Sequence, residues 1–203
     1  MTSALDTAAF VVDDAALDTL FREARTANTF TDEPVSIDQV REIVTLAGLG
    51  PTAMNNQPLR VLVLTEESRE RLIPLMAEGN REKTASAPVT LVLAADPRFH
   101  DRLPEHFPIF PGARDMFEDQ PEQREKDAEF NAALQIGYLT IAIRAAGLAA
   151  GPMGGFDREG VDREFFAESG WRSLVVMNVG HPGENAWMER LPRIAFEDAV
   201  EVL

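Results

Sequence analysis

Three short runs in this chain leave almost no polar face. Residues 59–65 (LRVLVLT), 88–95 (PVTLVLAA) and 173–179 (SLVVMNV) are apolar at successive positions, so a strand made from any of them is hydrophobic on both sides. Such strands are stable only between two layers of helices. The rest of the chain supplies the helices. Leu17, Leu20, Phe21 and Ala24 recur at helical spacing between Asp14 and Ala27, with Asp13 or Asp14 placed to cap them. Ser36 and Gln39 form a capping box ahead of Val40, Ile43, Val44 and Ala47, and the run Gly48-Leu49-Gly50-Pro51 stops that helix. A polar amphipathic segment spans 66–77, and a short helix over 158–167 precedes the last apolar run.

The longest predicted helix runs from Pro121 to Gly147, about 40 Å at 1.5 Å per residue. Its first half (EQREKDAE) is charged. Its second half carries Phe130, Leu134, Ile141 and Leu148 as one stripe, with small Ala133, Gly137, Ala142 and Ala145 around it. Small residues allow another backbone to come close, so this helix is expected to be central and to cross a partner subunit. Residues 97–121 hold prolines and scattered Phe99, Phe107, Phe110 and Phe117 without periodicity, and read as a long excursion of the kind that forms lids. The tail after Gly183 is irregular. No repeat, low-complexity tract or linker divides the chain, so one domain over 1–203 is expected, with a 184–203 C-terminal arm.

Charge and composition narrow the function. Of 203 residues 45% are apolar and 26% charged, an ordinary globular balance. The net charge of −15, from 34 acidic and 19 basic side chains, repels phosphate backbones and anionic lipid, so neither a nucleic acid nor a membrane is an expected partner. With no cysteine, disulfides, thiolate metal sites and cysteine nucleophiles are excluded. The three histidines, His100, His106 and His181, lack metal-ligand spacing, so no metal is expected. The run Gly48 to Ala53 superficially copies a dinucleotide fingerprint but follows a predicted helix, not a strand, and is rejected. The apolar AAFVV run near the start has no basic lead and follows Asp6, so no signal peptide is expected and the cytoplasm is the default location.

Four separated segments then point the same way. The first is Arg25-Thr26-Ala27-Asn28-Thr29-Phe30, the second Pro51-Thr52-Ala53-Met54-Asn55-Asn56-Gln57-Pro58, the third Asn80-Arg81-Glu82-Lys83. The fourth is Gly151-Pro152-Met153-Gly154-Gly155-Phe156-Asp157, followed downstream by Arg190-Leu191-Pro192. Read singly, each has a plain structural meaning: a surface helix charge, a turn between helix and strand, a helix-terminal pair, a glycine turn. In their shared order over about 170 residues they resemble the nitroreductase family.

That resemblance implies an α+β fold with a central, mostly antiparallel sheet flanked by helices on both faces, in an intertwined homodimer. It implies FMN as cofactor and NADH or NADPH as electron donor. The flavin carries the chemistry in a ping-pong cycle, so no protein side chain is expected to be catalytic. Arg25, Thr26, Asn28 and Arg190 would hold the FMN phosphate and ribityl chain. Pro51, Thr52, Ala53 and Asn55 would come from the neighbouring subunit to cover the ring. Asn80 and Lys83 would address its pyrimidine edge, where a cation stabilises the charge of the reduced form. Pro152, Met153, Gly154 and Gly155 would pass their backbone beside N5. The chain departs from the family pattern at Asn28 and Met188, where cations are usual, and at Gly154, where many relatives have Glu.

The small organic acceptor implied by the family is a nitro compound, a quinone or an aldehyde acid. The A-R-T, G-P-T, N-x-x-K-T and G-P-M-x-G-F wording is similar to a branch that includes the malonic semialdehyde reductase of pyrimidine breakdown. That narrower activity would need a cation facing the substrate carboxylate, with Arg114 or Arg102 as candidates. The three departures also leave open a non-catalytic flavin-binding protein on the same fold.

Overall fold

The computed structural model describes residues 9–203; Asp6 and Ala8, on which part of the N-terminal expectation rests, lie outside them. Four strands, β1 (Leu59–Val63), β2 (Val89–Ala95), β3 (Ala149–Met153) and β4 (Arg172–Gly180), form one sheet in the order β1-β2-β4-β3. Every neighbouring pair is antiparallel. The helices among the described residues are α1 (Asp14–Leu17), α2 (Ile37–Ala47), α3 (Glu66–Leu72), α4 (Glu78–Ala85), α5 (Leu103–His106), α6 (Asp115–Glu118), α7 (Pro121–Ala145), α8 (Arg158–Phe165) and α9 (Phe196–Ala199). None is long and apolar enough to cross a membrane.

The doubly apolar runs behave as their sequence demands. Alternate residues of β2 and β4 enter opposite cores, because successive side chains of a strand point to opposite faces. Leu91, Leu93, Met177 and Val179 join Val40, Ile43, Leu139 and Ile143 beneath α2 and α7. Val92, Ala94 and Val176 join Leu72, Met76, Val161 and Phe166 on the other face. Each large side chain fully buried this way contributes about 1.5–3 kcal/mol. The expected sheet between two helical layers is therefore present. Ser36 caps α2 as predicted, its Oγ accepting from the Gln39 N–H (3.1 Å).

Four expectations need correction. The opening helix does not reach Ala27: α1 passes into a π-helical turn over Asp18–Arg22 and stops, leaving residues 24–27 outside any helix. Residues Ala149–Met153 form β3, so Gly151 to Met153, read as the start of a glycine loop, lie in a strand. This strand lies at the sheet edge, where Pro152 can be tolerated without breaking a ladder on both sides. The segment around Asn80, given no element from sequence, is α4. Finally, the expected stripe of Phe130, Leu134, Ile141 and Leu148 divides: Leu148, past the end of α7, joins the core with Ala128, Ala132, Leu139 and Ile143 buried on the helix, while Phe130, Leu134 and neighbouring Tyr138 stay 66%, 43% and 48% exposed.

Candidate functional site

The edge strand β3 organises most of the predicted residues. Arg25 to Asn28 run beside it: Ala27 donates its N–H to the Ala150 carbonyl (3.4 Å), Asn28 to the Ala186 carbonyl (3.0 Å), and Phe30 pairs with Pro182. Gly151 permits this approach, since a Cβ there would lie 2.9 Å from the Ala27 carbonyl oxygen. The opening helix ends against the same segment, and its last carbonyls collect guanidinium groups. Arg25 Nη1 donates to the carbonyls of Arg22 (2.9 Å) and Ala24 (3.1 Å). Arg190 Nη2 donates to those of Phe21, Arg22 and Ala24, and Arg144 Nη1 to that of Leu20 (2.8 Å).

These arginines, with Thr26, Asn28, Met188 and Arg193, line a cavity of about 460 Å³ in which Glu189 is the single acidic side chain. Carbonyl groups at a helix C-terminus carry partial negative charge and hold cations there. They do not neutralise several of them. Burial, with Arg190 alongside, pushes the Arg144 pKa below its ordinary value. Arg144 lines this cavity without having been singled out from sequence, although a lone charge in the apolar run AIRAAGL was a visible signal.

The other end of β3 gathers the second group. Asn80 Nδ2 donates to the Gly155 carbonyl (3.0 Å), and a Cβ on Gly155 would lie 2.7 Å from that amide nitrogen. The Lys83 carbonyl accepts from Asn178 Nδ2 (3.0 Å), whose Oδ1 accepts from Thr90 Oγ1 (3.0 Å). Asn178 is the register partner of Gly151, so the Lys83 backbone and residues 25–28 both flank the β3–β4 pair. Among the described residues no carboxylate lies within 4.0 Å of the Lys83 ammonium. The Met153 side chain belongs to the core, beside Thr84, so it offers a ligand backbone only. Pro152 and Gly154 are exposed, with open space where a Gly154 side chain would be.

Pro51, Thr52, Ala53 and Asn55 are elsewhere. Leu59 is level with Ala95 and through it with Arg172, whereas Gly151 is level with Asn178. Three strand spacings across and six residues along put the two regions roughly 14 Å and 20 Å apart in the two directions. One chain does not bring them together. The loop is nevertheless tightly held: Ala53 N–H donates to Asn131 Oδ1 (2.8 Å), Gln57 N–H to Thr52 Oγ1 (3.2 Å) and Asn55 Nδ2 to the His106 carbonyl (2.8 Å). Met54, Asn55 and Gln57 have φ of 52°, 51° and 42°. Non-glycine residues in this region cost of order 1 kcal/mol or more, and such strain clusters at ligand clamps.

The 97–121 excursion is anchored to that loop. Met54 packs with Phe99, Leu103, Phe107 and Phe117. Within it Arg114 pairs with Glu118 (2.8 Å) and Asp101 (3.4 Å), so this candidate for a substrate carboxylate is already spent on protein acids. The same guanidinium stands at the only His-carboxylate grouping with metal-ligand proximity among the described residues, His100, Asp101 and Glu118, and makes it an ion-pair network. Arg102 has no acidic partner within 4.0 Å among the described residues and lines a cavity of about 330 Å³ with Gln57, Arg60, His106 and Gln135. A larger cavity, about 560 Å³, lies where α7 meets α8. Its rim carries Glu122, Glu125, Glu129, Glu159 and Asp162 against three cations, which suits no anionic ligand.

The family profile described as Nitroreductase family matches residues 21–181, most of the chain. The chain belongs to the nitroreductase family. A Streptomyces coelicolor protein, provisionally named NADH dehydrogenase/NAD(P)H nitroreductase, is 55% identical over 191 residues, covering 94% of this chain and 97% of that protein. A Leptothrix cholodnii protein with the same provisional name is 49% identical over 204 residues and the full length of both chains. Among solved structures, a protein from Exiguobacterium sibiricum, provisionally a nitroreductase and crystallised with FMN, superposes with a TM-score of 0.82 at 18% identity, covering 96% of this chain and 99% of its own. That superposition speaks for the nitroreductase fold, and the matched 21–181 span contains Arg25 to Asn28, the 51–58 loop, Asn80, Lys83, Arg144 and Gly155, while Arg190 and Arg193 lie beyond it.

Proposed function

We propose that the protein is a homodimeric, FMN-dependent oxidoreductase that draws hydride from NADH or NADPH and reduces a small organic acceptor. The observation that carries this reading is the arginine-lined cavity built on the segment that runs beside β3, with Asn80 bonded to Gly155 just past the end of that strand. A phosphate monoester with a charge of about −1.5 to −2 at neutral pH matches four clustered guanidiniums that share one lining acid, Glu189. The Exiguobacterium relative holds FMN on this fold. When bound, FMN supplies the hydride-accepting and hydride-donating chemistry. The chain's own residues bind and orient: Arg25, Thr26, Asn28 and Arg190 at the phosphate and ribityl end, Lys83 and Asn80 at the opposite end, and the backbone of Pro152 to Gly155 between them. A lysine there stabilises negative charge where it develops.

The dimer follows from what one chain lacks. Residues 51–57 sit at the far corner of the sheet, so in this reading a second copy would bring its loop to this cavity. The exposed Phe130, Leu134 and Tyr138 on α7, with Leu46 and Leu49 near the end of α2, supply an apolar surface for that contact. The 184–203 arm exposes Leu191, Ile194, Phe196 and Val202, which suits an extension that packs on a partner. Because Met54 is fixed to the excursion, residues 97–121 would arrive beside the same ring as a wall for the acceptor and exclude water. A single domain and a cytoplasmic location complete the reading.

One observation favours a narrower substrate. Arg102, unlike Arg114, keeps its charge unpaired among the described residues, in a cavity that includes Gln57 of the loop. A small aldehyde acid such as malonic semialdehyde would find its carboxylate partner there.

The test is the visible spectrum of the purified protein before and after anaerobic NADH or NADPH, together with its mass in solution. A yellow dimer that bleaches supports the reading. A colourless protein that ignores added FMN, or a bound flavin that neither nicotinamide bleaches, overturns it. Turnover of malonic semialdehyde against menadione, in the parent and in Arg102→Ala, separates the two acceptor classes.

A further inference from the structure

We propose that Arg144, in the last turn of α7, is a fixed cation of the phosphate-binding site and supplies charge that Asn28 and Met188 leave out. The inference rests on the FMN reading above and names a residue for it. Three features carry it. First, the Arg144 guanidinium reaches away from its own helix end to the Leu20 carbonyl, so it joins Arg25 and Arg190 at one cavity wall. Second, each guanidinium has five N–H donors, and Arg144 spends one nitrogen, Nη1, on Leu20; no acceptor for its Nε or Nη2 is found among the described residues. Third, like charges have been drawn together in a partly buried place. Among the described residues no carboxylate lies within 4.0 Å of Arg144 or Arg190, and Arg25 has only Glu23 at 3.9 Å.

Such an arrangement costs the protein repulsion and desolvation unless an anion joins it. A monoester phosphate offers three oxygens and a charge near −2, enough to accept from several forks at once. Arg144 is also the best-anchored of the cluster. It follows buried Leu139, Ala142 and Ile143 on the central helix, whereas Arg190 and Arg193 are exposed on the C-terminal arm. A donor held by a rigid element loses less entropy on binding. An alternative in which Arg144 only ties α7 to the opening helix uses one of its nitrogens and leaves Nε and Nη2 without an acceptor among the described residues.

The experiment titrates flavin-stripped full-length protein with FMN, with riboflavin and with inorganic phosphate, for the parent, Arg144→Gln and Arg144→Lys. Circular dichroism and solution mass establish that each variant is folded. Riboflavin shares the ring and ribityl chain but has no phosphate. For Arg144→Gln the expected result is an FMN affinity about tenfold or more weaker, with riboflavin changed by less than about twofold. Arg144→Lys recovers much of the loss, because charge is retained without the fork. Phosphate at millimolar concentration raises the melting temperature of the parent more than that of Arg144→Gln. Equal weakening of FMN and riboflavin overturns the proposal in favour of a structural tie, as does unchanged FMN affinity. If the parent binds neither flavin, the FMN reading fails by itself. The phosphate shift then decides Arg144: a difference between parent and Arg144→Gln upholds an anion site, and no difference sinks it.

Discussion

A methyl group on Gly151 would come within 2.9 Å of the Ala27 carbonyl oxygen, and that neighbour is backbone, which cannot swing aside. Gly151→Ala is therefore expected to push residues 25–28 off β3. A loss of about 1–3 kcal/mol by denaturant unfolding is typical for such overpacking. Because Arg25 and Asn28 ride on this segment, flavin content after purification should fall along with stability. Full flavin content in a destabilised Gly151→Ala would separate the segment from the cofactor. Gly155→Ala makes a contrasting case, since its close neighbour is the Asn80 amide, a side-chain end that can rotate. A smaller stability loss is expected there, with weakened flavin retention measured by ultrafiltration. At this scale a residue can be singled out from sequence where its type has few uses, as Arg25, Lys83 and Gly155 were. Arg144 was not, because its role depends on Leu20, which is more than a hundred positions away in the chain.

Elements show where local signals suffice. Ser36 accepts from the Gln39 N–H at the start of α2, and Ser36→Ala is expected to cost about 1 kcal/mol without changing flavin binding, measurable by thermal unfolding. The excursion has a pH signature. His100 is buried, and burial pushes its pKa below the ordinary imidazole value; Asp101 and Glu118 oppose the shift while Arg124 and Arg114 reinforce it. The unfolded chain takes up this proton near pH 6.5, before the folded protein does. Stability should therefore fall as pH drops through about 6.5. In His100→Phe that part of the pH dependence should vanish from unfolding curves; an unchanged slope would assign it to other groups. Sequence patterning found α2, α7 and the three doubly apolar strands because their signals are periodic and local. It missed β3, whose Ala-Ala-Gly-Pro-Met composition has no strand preference and which exists through pairing with β4.

For the whole molecule the decisive surface is α7. Its Phe130, Leu134 and Tyr138 lie exposed on a helix whose opposite side is core. Under the dimer reading, Phe130→Asp with Leu134→Asp should give monomers in sedimentation and colourless protein, while circular dichroism stays that of the parent. Colour retained in a monomer would mean that one chain completes the flavin site. The −15 surface charge does not oppose an anionic cofactor, because the potential at the arginine cavity is set locally.

What the sequence determined by itself was the sheet between helical layers, most helix positions and the four family segments, since each is written in neighbouring residues. The tertiary structure alone decided that residues 25–28 and the Lys83 backbone flank the β3–β4 pair while Pro51 and Asn55 stand at the opposite corner. Strand order and register set those distances, and both arise from pairing between segments far apart in the chain.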